Sequence, residues 1–165
     1  MRIDCPGIVD GWIQDRYGAK GGNGPNGMPG VSLPFSISGA PEGTACYAVV
    51  FDDYDAVSAS GFLWVHWLIC DLKQDEVAEG ASGRGAPFTE GSNNWFSALG
   101  ALDREGATGY GGPAPPNGMH RYTLKAYALD AELGLPRGFR LNDLYFAMKG
   151  HVLDHCEVVG KYTME

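Results

Sequence analysis

Apolar residues in this chain cluster in short runs. Residues 45–51 (Ala-Cys-Tyr-Ala-Val-Val-Phe) are continuously apolar and too short for a helix, the mark of a buried strand. Residues 62–72 are apolar on both parities, with Phe62, Trp64, Leu68 and Cys70 on one side and Leu63, Val65, Trp67 and Ile69 on the other. A run of that kind belongs in the middle of a sheet covered on both faces. Residues 120–129 alternate, Arg121, Thr123, Lys125 and Tyr127 against His120, Tyr122, Leu124 and Ala126, and predict a third strand of the same sheet. Helical spacing is clear only late. Leu141, Leu144, Tyr145, Met148 and Val152 share one face, with Asn142 and Asp143 suited to the N-terminal end, so residues 142–151 are expected to be largely helix. Residues 157–162 read as a short closing strand. Residues 18–34, rich in Gly, Pro and Asn, read as a loop. Residues 80–118 form a long irregular stretch whose Trp95, Phe96 and Tyr110 argue for an ordered, packed loop. No internal repeat is visible. Strands first and a helix late predict a mainly β (α+β) fold, an antiparallel sheet core with a few peripheral helices.

Composition agrees. At 165 residues the chain is long enough for one domain, 1–165, with a core of its own. Only 19% of residues are charged, while Gly numbers 25 and Pro 10, a balance unlike that of a helix bundle. Twelve basic against 20 acidic residues leave a formal charge of −8, and no basic run exists. That excludes a general footprint for nucleic acid and a general attraction to anionic membranes; an anionic ligand would have to be held by local donors against the net field. The start of the chain has no apolar stretch of signal-peptide length, and the run 62–72 is interrupted by His66 and Asp71, so a cytoplasmic location without stable membrane insertion is expected. Cys5, Cys46, Cys70 and Cys156 are scattered with no CxxC pair, which predicts free thiols.

Three places could carry chemistry. His66 interrupts an apolar strand, where an imidazole must either satisfy both ring nitrogens within the core or line a cavity. Asp53 follows the first strand in Asp52-Asp53-Tyr54-Asp55, a position that also suits a simple acidic turn. His120 opens a strand after Gly109-Tyr110-Gly111-Gly112-Pro113-Ala114-Pro115-Pro116-Asn117-Gly118, a loop able either to turn the chain or to present backbone N–H groups to an anion. His151 and His155, four apart, could share a helical face as metal ligands, but no third ligand is evident, and a structural role is preferred.

Taken together, these segments resemble one family. Tyr110-Gly111-Gly112-Pro113-Ala114-Pro115-Pro116, His120-Arg121-Tyr122 and Tyr127-Ala128-Leu129-Asp130 are similar to the GYxGPxPP…HRY…YALD signature of the phosphatidylethanolamine-binding protein family. Asp53-Tyr54-Asp55-Ala56 resembles its DPDAP motif and Val65-His66-Trp67 its VHW motif. Pro41-Glu42-Gly43-Thr44, Gly91-Ser92-Asn93-Asn94 and Gly150-His151-Val152-Leu153 fit further family positions, so that the likeness runs in order from Ser32 to Tyr162. The flavour is that of bacterial and archaeal members, relatives of the Raf kinase inhibitor proteins. The resemblance implies a large antiparallel sheet, a smaller second sheet and a pocket for phosphate-like anions or phospholipid headgroups, with no cofactor. Carried over by motif, the ligand-binding residues are Asp53, His66, His120 and Tyr122, with backbone at Gly112 and Pro113.

The chain departs from the family pattern at Tyr54 and Val57, where prolines are usual, at Asp71 for an Asn, and at Ile37 for a Trp. The first pair should loosen the loop that carries Asp53. Three functions remain open: a non-enzymatic anion or headgroup binder, a regulator of a protein partner such as a kinase or protease, and an enzyme. No Ser or Cys adjoins His66 or His120 in any motif, which argues against the enzyme. A homodimer is compatible with every one of them.

Overall fold

The computed structural model describes residues 1–24, 26–83 and 85–165. Its centre is a seven-stranded sheet in the order β2-β3-β10-β9-β5-β6-β8. The strands are β2 (Ile8–Val9), β3 (Trp12–Ile13), β5 (Cys46–Asp53), β6 (Trp64–Leu72), β8 (Thr89–Glu90), β9 (His120–Leu129) and β10 (Val152–Tyr162). A three-stranded sheet of β1 (Arg2–Asp4), β4 (Phe35–Ser38) and β7 (Glu76–Val77) packs over one face. Helix α1 (Val57–Ser60) is one turn long, and α2 (Leu141–Met148) covers part of the other face. The pairings are antiparallel except that of β3 with β10, which run parallel through Lys161 and Trp12, so the large sheet is mixed at that end.

All eight residues of β5 are buried because layers lie on both sides of it. Tyr47, Val49 and Phe51 join Trp67, Ile69 and Leu124 in a core closed by Ile3, Phe35, Ile37 and Val77 of the small sheet. Cys46, Ala48 and Val50 join Leu68, Cys70 and Leu129 in a second core closed by Phe139, Leu144 and Met148. Ile37, which stands where the family pattern expects Trp, fills the small-sheet wall at 4% exposure.

The apolar run at 62–72 forms β6, buried on both faces, but it lies one strand from the edge rather than in the middle of the sheet. Beyond it stands only β8, paired through Ile69 and Cys70. The rest of the β6 edge is capped by loops: Gly91 N–H donates to Leu68 O at 3.0 Å, Gly111 N–H to His66 O at 2.9 Å and Asn94 N–H to Val65 O at 3.0 Å, while Asn94 Oδ1 accepts from Val65 N–H at 2.7 Å.

Strict alternation also fails along β6. Phe51 pairs with Trp67, but its neighbour Asp52 pairs with Val65, so His66 is an extra residue, a β-bulge. Val65 therefore packs with Leu68 and Cys70, not with Trp67 and Ile69 as alternation required. A second irregularity, between the Tyr47–Leu72 and Val49–Ile69 pairs, brackets Asp71 at φ 56°. Asp reaches this left-handed region more readily than most residues. Its carboxylate accepts from Leu133 N–H at 2.7 Å and Gly134 N–H at 3.0 Å, tying down the next loop.

Two sequence expectations need correction at the C-terminal end. The helix stops at Met148, not at 151, because Gly150 takes φ 87° and turns the chain. The closing strand is 11 residues long rather than six, since β10 pairs with β9 from Val152 to Tyr162; its mostly exposed first half carries no apolar run to announce it. His151 and His155 thus sit on a turn and a strand. His151 Nδ1 lies 2.8 Å from Asp130 Oδ1, and the His155 ring stacks on Tyr127. No helix among the described residues is long and apolar enough to cross a membrane. The four cysteines are free thiols; burial pushes those of Cys5 and Cys46 up to about 11.

Candidate functional site

The long irregular stretch is ordered by buried polar anchors. Glu90, fully buried, accepts from Trp67 Nε1 at 2.7 Å, Ser82 Oγ at 2.6 Å, Gly83 N–H at 3.0 Å and Arg137 Nη1 at 3.2 Å. Asn93 donates from Nδ2 to Gly109 O at 2.9 Å and accepts from Trp95 N–H at 3.0 Å. Tyr110 stacks on Phe51 with centroids 5.9 Å apart and donates its hydroxyl to Tyr17 O at 2.8 Å. These ties carry the loop across the end of the large sheet where β5, β6 and β9 finish or begin.

There the loop encloses a cavity of about 320 Å³. Asp53 from the end of β5, His66 from the β6 bulge, and His120 and Tyr122 from the start of β9 all line it. The bulge matters because it places the His66 ring beside Phe51 and Tyr122, at 5.5 and 5.2 Å between centroids, rather than on the α2 side. Trp64, Trp95 and the segment Ala114, Pro115 and Pro116 supply most of the remaining, apolar wall. Trp64 and Trp95 meet edge to face at 5.3 Å.

Hydrogen bonds settle what each polar group offers. His66 Nδ1 lies 2.5 Å from Gly111 O, so Nδ1 carries the proton and donates. Its other nitrogen, Nε2, is then a lone-pair acceptor in the neutral ring. Burial lowers the His66 pKa from 6.5 to about 4, opposed by the Gly111 carbonyl and the Asp53 charge. His120 Nδ1 lies 2.7 Å from Asp53 Oδ2 and Nε2 lies 2.8 Å from Asn117 Oδ1. Both ring nitrogens thus face a side-chain oxygen. Asp53 Oδ1 accepts from Ala56 N–H at 3.1 Å. The Tyr122 hydroxyl is buried and closes no hydrogen bond, although Asp53 is near enough that burial and its charge together push the phenol well above the ordinary range. Trp64 Nε1 is a second buried group with no partner.

The sequence-derived set is therefore divided. Asp53, His66, His120 and Tyr122 meet at one cavity, whereas Gly112 and Pro113 lie outside its lining. The amides at the two named positions are not offered to the cavity: Gly112 N–H goes to Pro29 O at 2.7 Å, Pro113 has none to give, and the neighbouring Gly111 N–H goes to His66 O. Gly112 has a steric role instead. A Cβ would overlap the Tyr17 carbonyl and stand 2.8 Å from that of Pro29, so only glycine lets three backbone segments meet. The loop after Asp53, which lacks the two prolines, is tied to β9 by side chains. Arg121 binds Asp55 through Nε at 2.9 Å and Nη2 at 2.7 Å, holding that carboxyl down at about 2, and Tyr54 lies against Lys125, whose Nζ is 4.6 Å from the ring centre. Trp64, Trp95 and Asn117 escaped sequence reasoning. Their one signal is proximity, two residues before His66 in the case of Trp64 and three before His120 in that of Asn117.

A mixed sheet with a small second sheet, and a cavity at its end holding a buried Asp–His pair and a second His, define the class: a two-sheet β protein with a polar-floored cavity at the end of its large sheet. Comparison with known proteins gives the same answer at the level of family. The phosphatidylethanolamine-binding protein family model matches residues 8–163. The Bacillus subtilis protein YxkA is 42% identical over 136 residues, covering 80% of this chain and 81% of the relative. The UPF0098 protein of Methanothermobacter thermautotrophicus is 35% identical over 154 residues, covering 92% and 91%. The crystal structure of a phosphatidylethanolamine-binding protein homologue from Chlamydia trachomatis superposes with a TM-score of 0.81 at 27% identity, over 99% of this chain and 97% of that one. The chain belongs to the phosphatidylethanolamine-binding protein family.

Proposed function

We propose that the cavity binds, without catalysis, a small oxyanion of the kind that a phosphate or a phospholipid headgroup presents. The observation that carries this reading is the pair of buried, unpartnered donors on the cavity-lining residues, Tyr122 Oη and Trp64 Nε1. A buried hydroxyl left without a partner costs about 1–3 kcal/mol, which an acceptor on a ligand would recover. His66 refines the ligand. With its lone pair on Nε2, the neutral ring suits an oxyanion that still carries a proton, or an ammonium N–H on the same molecule, better than a bare dianion. A monoprotonated phosphate or a phosphorylethanolamine offers such a proton. The absence of chemistry is supported by the partners of the imidazoles: Asp53, Asn117 and a backbone carbonyl, with no Ser or Cys side chain among them.

Calorimetric titration with inorganic phosphate and with phosphorylethanolamine tests the reading. Tyr122→Phe, which removes one oxygen from the wall, should weaken both ligands about tenfold, the worth of one hydrogen bond to a charged acceptor. Equal affinity in the variant and the wild type would refute the oxyanion site. A second reading is regulation of a protein partner, such as a kinase or protease, through the cavity rim. It is favoured by Val57, Leu99 and Met119, which are 49%, 62% and 46% exposed and border the cavity or the adjoining groove. Under that reading, partner capture would survive Tyr122→Phe and be lost on replacing these three residues by serine; the opposite pattern would dismiss it.

A further inference from the structure

His120 belongs to two depressions at once. It lines the inner cavity, and it also forms the floor of an outer groove with Tyr54, Val57, Met119, Arg121 and Lys161. The ring itself is 3% exposed, and its Nε2 meets the Asn117 side chain, which lines the outer groove. Asn117 sits on an exposed turn, next to Gly118 at φ 106°, and touches no core residue other than His120 in its hydrogen bonding. Its amide is oriented from both ends. Oδ1 lies 2.8 Å from His120 Nε2, and Nδ2 donates to Ser58 Oγ at 3.1 Å, whose own proton goes to Asp55 O at 2.9 Å.

We propose that Asn117 is a built-in stand-in for the ligand: its carbonyl oxygen holds the position on His120 Nε2 that a ligand oxyanion takes, and binding displaces the Asn117 side chain and joins groove to cavity. The inference rests on the oxyanion reading above and adds how that site is closed. Three observations carry it. An imidazole whose Nδ1 is already on a carboxylate makes a stronger bond from Nε2 to an anionic oxygen than to a neutral amide, so the exchange runs toward the ligand. The groove side supplies a cation for the approach, Lys161, whose Nζ lies 5.8 Å from the centre of the Trp12 ring. The leash is local: two side-chain hydrogen bonds give way when the amide swings out, an exposed one to Ser58 and the one to His120 that the ligand replaces.

A side chain that occupies the site lowers the apparent affinity by the fraction of molecules in which it has left. Removing it should therefore tighten binding even though a protein group is lost. In titrations with inorganic phosphate, Asn117→Ala should bind about three- to tenfold more tightly than the wild type, the inverse of the modest strength of one neutral hydrogen bond. Asn117→Asp, which puts a tethered anion in the same place, should weaken phosphate by tenfold or more through occupancy and like-charge repulsion. Because Asn117 is exposed, neither change disturbs the core. Wild-type or weaker affinity in Asn117→Ala, or wild-type affinity in Asn117→Asp, overturns the proposal. If Tyr122→Phe weakens phosphate while Asn117→Ala does not tighten it, the stand-in fails and the oxyanion site stands. If no protein of the series binds phosphate, both fail together.

Discussion

Glu90→Ala is expected to cost about 4 kcal/mol of stability, because a fully buried carboxylate is removed from several donors and each one left unsatisfied in the core costs about 1–3 kcal/mol. Four groups lose their acceptor at once: the Trp67 indole in the core, the Ser82 hydroxyl, the Gly83 amide and the Arg137 guanidinium. The Trp67 N–H is left dry, because its ring is fully buried between Phe35 and Tyr110. A typical domain is stable by only about 5–15 kcal/mol, so the variant should lie close to unfolding at room temperature. Urea titration followed by tryptophan fluorescence measures the loss. Glu90→Gln keeps the shape and one acceptor and should cost clearly less. A loss below about 1 kcal/mol in the alanine variant would mean that water replaces the carboxylate and that Glu90 does not organise the loop.

Acid should weaken the protein through His66. In the unfolded chain this imidazole takes up a proton near pH 6.5, whereas in the fold it resists until about pH 4. Between those values the unfolded state binds more protons, so stability is fully present above pH 6.5 and is lost as the pH falls toward 4. At 1.36 kcal/mol per pH unit of displacement, going from pH 7 to 4.5 should remove about 2 kcal/mol. Buried Asp52 acts in the opposite sense, since burial raises its pKa despite Lys125 at 2.6 Å, so the wild-type profile alone does not isolate the histidine. The comparison with His66→Gln does, because Asp52 is common to both. The variant should lose about 2 kcal/mol less over the same interval; equal slopes would show that the imidazole is protonated in the fold, with Nε2 donating.

What the sequence made legible and what it hid follow from different physics. Strand β9 was readable to the residue, because half-burial stamps alternation on it and Gly118 marks its start. The four polar site residues were readable because they sit in motifs whose spacing the resemblance fixes. The bulge at His66 was not. An extra residue in an unbroken apolar run leaves the composition unchanged, and only the pairing partner on β5 records the slip. The small sheet was announced by the resemblance alone, since strands as short as Arg2–Asp4 and Glu76–Val77 carry too few residues to show a period. The chemical sense of His66 was hidden for a third reason. Whether its outward nitrogen donates or accepts is decided by a carbonyl 45 positions away, so two imidazoles that look alike in the sequence stand against different partners, a backbone carbonyl for one and two side-chain oxygens for the other.

The capping of β6 reaches beyond the cavity. A strand one place from the edge of a sheet, with a short last neighbour, would leave several N–H and C=O groups free to recruit a strand from another molecule, and an apolar strand is the most hazardous place for that. Here the recruits are already seated: Gly91, Asn94 and Gly111 take those positions, and they belong to the same loop that closes around the cavity. The wall of the cavity and colloidal safety thus share one segment. Evolution can vary the wall of the pocket only through changes that leave this seam closed, and an engineer who trims the loop to open the cavity also uncovers an aggregation template.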